Sequence, residues 1–107
     1  MPTVDERYDE AIALKETGDL EGAAARLEDL LKTDANYALA HSALSVIYGK
    51  LERYDEAVPH AQKVCQLEPD DPFSFVALSL ICQKAGLLRE AEMASQQAQQ
   101  LEQGGGE

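Results

Sequence analysis

A chain of 107 residues with 9 Lys and Arg against 20 Asp and Glu carries a net charge of -11. That balance speaks against nucleic acid, which needs clustered cations over its phosphates, and against anionic membrane surfaces. The length fits a single domain that buries its own core. The opening MPTVDERYDE lacks a basic patch followed by an apolar run, so no signal peptide is expected. No segment reaches the ~20 apolar residues that cross a bilayer. Cys65 and Cys82 sit in no metal-like spacing, and a cytoplasmic protein with reduced thiols is the default expectation.

In chain order, the apolar spacing predicts helices at 5–17 and 21–33, parted by TGDLE, then a turn-like KTDANY. Helices at 38–51 and 55–67 follow, parted by KLERYDE. Pro59 falls in the first turn or so of its helix, where few backbone bonds are lost. In LEPDDP, Pro69 and Pro72 stop one helix and start the next. The last pair spans 72–85 and 88–102 around KAGLLRE, and residues 103–107 are expected to form a flexible tail.

The six helices fall into three units of one period. Ala23, Ala57 and Ala91 are spaced 57 − 23 = 34 and 91 − 57 = 34. Ala11, Ser45 and Ser79 keep the same step, as do Ala13, Ile47 and Ile81, with no gap anywhere. Residues 38–71 place Leu44, Ser45, Tyr48, Ala57 and Pro69 at the positions of the 34-residue pattern W-x2-L-G-x2-Y, A-x3-F, P, with His41 for Trp and Ala61 for Phe. Residues 72–105 keep Phe75, Leu78, Ser79, Gly86 and Ala91; residues 4–37 keep Ala11, Gly18 and Ala23. The chain therefore resembles the tetratricopeptide repeat family. The resemblance implies an all-α fold: one domain, 1–107, in which three helix-turn-helix repeats at about 4–37, 38–71 and 72–105 stack into a right-handed superhelix.

Stacked repeats need polar outer faces at their ends. The stripe meant for a preceding repeat reads Ala40, Leu44, Ile47, Leu51 in the middle unit but Glu6, Glu10, Ala13, Thr17 in the first. The stripe meant for a following repeat becomes Glu92, Ser95, Gln99 in the last. A complete three-repeat array is the expectation from these two edges.

In the family the first helices of successive repeats line a concave groove. The resemblance places Tyr8, Ile12, Leu39, Ser42, Val46, Phe73, Val76 and Leu80 there, with Lys15, Lys50 and Lys84 along one rim. A register rotated by one residue would instead put Tyr8, Ile12 and Val46 in the core. The Lys, Asn and Arg clamp with which family members hold chaperone tails has no counterpart: the matching positions are Tyr8, Ile12, Ala43, Val76 and Leu80. His41 is expected to pack between helices, His60 to be exposed, and the two cysteines to be structural.

No glycine loop in a strand-helix context and no supported nucleophile-base set points to catalysis, and no cofactor or metal is expected. Two readings remain. One is a protein-interaction module that takes a peptide or amphipathic helix with acidic residues into the apolar groove. The other is self-association into a homodimer through the same surface.

Overall fold

A computed structural model describes residues 1–104. It contains six helices and no strand among the described residues: α1 (Val4–Glu16), α2 (Leu20–Thr33), α3 (Ala38–Lys50), α4 (Tyr54–Leu67), α5 (Pro72–Ala85) and α6 (Leu88–Gly104). They form three hairpins, α1 on α2, α3 on α4 and α5 on α6. The hairpins stack in order through α2 against α3 and α4 against α5. The stack is elongated, 45 × 30 × 22 Å. Helix ends fall within one residue of the sequence expectation except at α6. There Gln103 and Gly104, expected in a flexible tail, continue the helix. Residues 105–107 of that expected tail lie outside the described residues.

Local chemistry starts the helices. Thr3 and Glu6 form a reciprocal capping box at α1: the Glu6 N–H donates to Thr3 Oγ1 (3.1 Å) and the Thr3 N–H to Glu6 Oε1 (2.9 Å). Asp19 accepts from the Gly22 N–H at the start of α2 (2.9 Å), and Asp71 accepts from the Phe73 N–H at the start of α5 (3.0 Å). Pro72 opens α5, where its fixed φ suits a first helical position. Pro59 is the sixth residue of α4, deeper than expected; it is exposed, so the loss of its N–H falls on the solvent side.

All three hairpin turns close in the same way. Backbone N–H groups of Asp19, Arg53 and Leu87 donate to the carbonyls of Leu14, Tyr48 and Cys82 at 3.0, 2.8 and 2.8 Å. This six-residue closure places one residue per turn at positive φ. Those residues are Gly18 (95°), Glu52 (60°) and Gly86 (81°). Two of the turns use glycine, which enters that region freely, while the middle turn forces glutamate into it.

The core runs the length of the stack. Leu27, Leu30, Leu44, Ile47 and Cys82 are its largest fully buried side chains. The alanines that set the repeat register, Ala23, Ala57 and Ala91, are buried. A small side chain there lets paired helices approach closely, which explains their strict period. At the outer edges the polar stripes are exposed: Glu6, Glu10 and Thr17 at one end, Glu92 and Gln99 at the other.

Candidate functional site

A trough of about 470 Å³ runs between α3 and α5. Its lining recurs on α3 at Leu39, Ser42, Val46 and Lys50, and on α5 at Phe73, Ala77, Leu80 and Lys84. Each series steps by three or four residues from first to last turn, so the trough extends along both helices. Small residues make it deep: Ser42, Ser45, Gly49, Ala61, Ser74 and Ala77 form low ground between larger walls. At Gly49 a β-carbon would stand only 2.8 Å from the Ile81 δ-methyl, so the bare backbone admits that side chain. The walls are apolar and open to solvent: Leu39 is 54% exposed, Val46 47%, Phe73 76% and Leu80 54%. Four such residues sharing one concavity are unlike the scattered exposed leucines of ordinary surfaces.

Charge is distributed unequally along this trough. Lys50 and Lys84, in the last turns of α3 and α5, stand at one end; Glu68 and Asp71 stand at the other. Neither lysine is ion-paired among the described residues.

The structure brings together seven of the groove residues expected from sequence: Leu39, Ser42, Val46, Phe73, Leu80, Lys50 and Lys84. Four others lie apart from the trough. Tyr8 and Ile12 are half-buried and pack against the core, Tyr8 with its ring 5.8 Å from that of Tyr37. Tyr37 in turn donates its hydroxyl to Asp5, and that bond, with some burial, pushes its pKa up to about 12. Val76 is exposed but outside the lining, and Lys15 is half-buried on α1. The groove expected over three helices is thus a trough between two. Its floor residues on α4, Ala61 and Val64, were missed. They belong to a second helix of the repeat, where the resemblance offered no groove positions.

A second cluster had no sequence signal. His41 Nε2 lies 2.8 Å from the Ala35 carbonyl, which can only accept, so this nitrogen carries the proton. In the neutral ring His41 Nδ1 is then an acceptor, and His60 Nδ1 donates to it at 2.9 Å. His60 Nε2 faces Glu28 Oε2 at 3.6 Å, and the same oxygen accepts from the Tyr48 hydroxyl at 2.7 Å. The Tyr48 ring stacks on His60 at 5.9 Å, and the Arg53 guanidinium lies 4.9 Å from the Tyr48 centroid. His60, expected on the surface, is therefore half-buried in a joint of α2, α3 and α4. Burial lowers its pKa, His41 adds to that, and Glu28 opposes without overcoming it. His41 packs between helices as expected.

Both cysteines are free and buried, and Cys65 donates to the Ser74 carbonyl at 3.3 Å. Burial pushes both thiols up, away from the reactive thiolate. No group of three or more metal-ligating side chains occurs among the described residues, and no described helix is long and apolar enough to cross a membrane.

A tetratricopeptide repeat profile matches residues 38–71, which comprise α3, α4 and the turn after them. The second tetratricopeptide repeat domain of Spaghetti (RPAP3), solved bound to the HSP90 peptide SRMEEVD, is 19% identical and superposes with a TM-score of 0.81 over 92% of this chain and 91% of its own. Residues 38–71 match the tetratricopeptide repeat, and the chain as a whole has the fold of tetratricopeptide repeat structures. Two MamA structures are also similar. One has 19% identity and a TM-score of 0.88 over 97% of this chain; the other, from Desulfovibrio magneticus RS-1, has 25% identity and 0.83 over 92%. The chain spans 61% and 56% of those two proteins. No curated protein sequence matches it. Within this repeat stack, the α3–α5 trough lies between the first helices of the second and third repeats.

Proposed function

We propose that this chain is a non-catalytic interaction module that docks a segment of a partner protein in the α3–α5 trough. The observation that carries this reading is the set of four large apolar walls, each about half or more exposed, around a small-residue floor. Covering the exposed part of each wall contributes about 1 kcal/mol, roughly half the value for full burial. The trough then supplies about 4 kcal/mol and a matching ligand face a similar amount. Against association costs of about 4 kcal/mol or more, about 4 kcal/mol is left, so these walls alone support binding in the millimolar range, as suits an exchangeable module.

The repeat domain of Spaghetti (RPAP3) bound to a peptide supports the reading by analogy of fold. The acidic peptide it holds does not transfer. This chain has Tyr8, Ile12, Ala43, Val76 and Leu80 at the positions of the family's cationic clamp.

Val46→Glu and Leu80→Glu are expected to abolish partner capture with helix content unchanged by circular dichroism. Met93→Glu, on the exposed face of α6, is the matched control and should leave capture intact. Capture that survives both trough variants and fails with the α6 variant would move the site to the end of the stack.

A further inference from the structure

Resting on the trough reading above, we infer that the occupant is an amphipathic α-helix lying antiparallel to α3 and α5, acidic in its first turn and basic in its last. Both walls of the trough are helices whose backbone groups are already bonded within them. An extended segment would find few partners there for its own N–H and C=O groups. Ser74 is occupied, donating to the carbonyls of Glu68 and Asp71. Only Ser42, Ser45 and the wall edges remain, too few for the repeating N–H and C=O groups of a strand, which would be left unsatisfied in an apolar site. A helix brings its backbone bonds with it. From Phe73 to Lys84 the wall rises about 16 Å, so a helix with apolar residues at i, i+4, i+7 and i+11 meets every layer of the lining.

Charge sets the direction. Lys50 and Lys84, unpaired among the described residues, stand at the C-terminal ends of α3 and α5, and Glu68 with Asp71 at the opposite end. A ligand helix is itself stabilised by carboxylates in its first turn and cations in its last. Both demands are met together only when its first turn sits at the lysines. In that orientation its dipole also opposes those of α3 and α5. The parallel orientation would set basic against basic or require charges that weaken the ligand helix.

The test uses two synthetic fourteen-residue peptides of the same composition, with four leucines at helical spacing. One places its glutamates first and lysines last, the other the reverse. Fluorescence anisotropy measures both against the wild type and against a Lys50→Glu/Lys84→Glu/Glu68→Lys variant; all three positions are exposed. Crossing peptides with proteins cancels any difference in the peptides' own helicity. Wild type should bind the acid-first peptide about tenfold more tightly, as two or three exposed ion pairs allow. The variant should reverse the order, and salt should shrink the difference. Equal binding of both peptides, lost in Leu80→Glu, overturns the polarity and leaves the trough reading standing. Binding of neither overturns both. Tighter binding of a proline-broken version overturns the helical occupant. A concentration-dependent dimer abolished by Leu80→Glu assigns the trough to a second copy instead.

Discussion

Acidification will loosen the joint between the first and second repeats, through His60. In the fold this ring is set between α2, α3 and α4. It faces His41 Nδ1 at 2.9 Å and Glu28 at 3.6 Å, stacks on Tyr48, and has Glu56 on its own helix. Burial lowers its pKa below the ordinary histidine value. The sign follows from proton counting. As pH drops through about 6.5 the unfolded chain takes up a proton first, so the unfolded state gains and stability falls. The loss continues until the folded His60 also protonates, and then levels. One extra proton limits the slope to about 1.4 kcal/mol per pH unit. For a domain of this size each ~1 kcal/mol corresponds to about 4–8 °C in Tm. Urea unfolding of wild type and His60→Gln, at intervals from about pH 8 to about pH 5 where histidine titrates, isolates the effect. Glutamine keeps a donor toward His41 but carries no titrating proton. Wild type should lose stability relative to the variant as pH falls. A flat difference curve would refute the reasoning. A curve of opposite sign would mean that attraction to Glu28 outweighs burial.

Three other outcomes are expected. Glu52→Gly should raise the urea midpoint, by about 1 kcal/mol of stability, because the middle turn holds a side chain at positive φ where the other two repeats use glycine; a lower midpoint would mean the turn is not strained. Leu44→Ala, at a fully buried site between repeats, should cost about 2–5 kcal/mol in the same assay, and a cost below about 1 would contradict the core assignment. Tyr37, bonded to Asp5 with its pKa pushed up to about 12, should ionise late in an alkaline titration followed by phenolate absorbance. Its proton is held in the fold after the unfolded chain has lost one, so stability should fall as pH rises from about 10 toward 12. Tyr37→Phe should remove one late-ionising phenol; an unchanged late amplitude would contradict the bond.

The repeat was legible because each unit repeats the same packing problem. Ala23, Ala57 and Ala91 must be small where helices cross, and Leu44 and Ile47 must be apolar where repeats meet, so the period survives in the sequence. The trough was half legible. Residues on first helices, such as Val46 and Leu80, follow from helical spacing. Tyr8 and Ile12 have the same spacing, yet their surroundings bury them in part: Tyr37 lies beside Tyr8, and both pack on the core. No pattern along the chain announces that contact. The floor at Ala61 and Val64 was missed because both lie on a second helix, where apolar residues read as packing between repeats and not as groove. The His41–His60 pair joins residues 19 apart on two helices, a distance no periodicity rule connects. Glu52 was hidden for the opposite reason: it occupies a glycine position without being glycine, and only the period 18, 52, 86 exposes it.

The claim at the centre of this account is that the α3–α5 trough is the docking surface. Methyl-resolved NMR during titration with the acid-first peptide tests it most directly. Shifts should concentrate on Leu39, Val46 and Leu80, with Leu88 and Met93 of α6 unmoved. Shifts centred on Leu88 and Met93, with Leu39, Val46 and Leu80 silent, would contradict it.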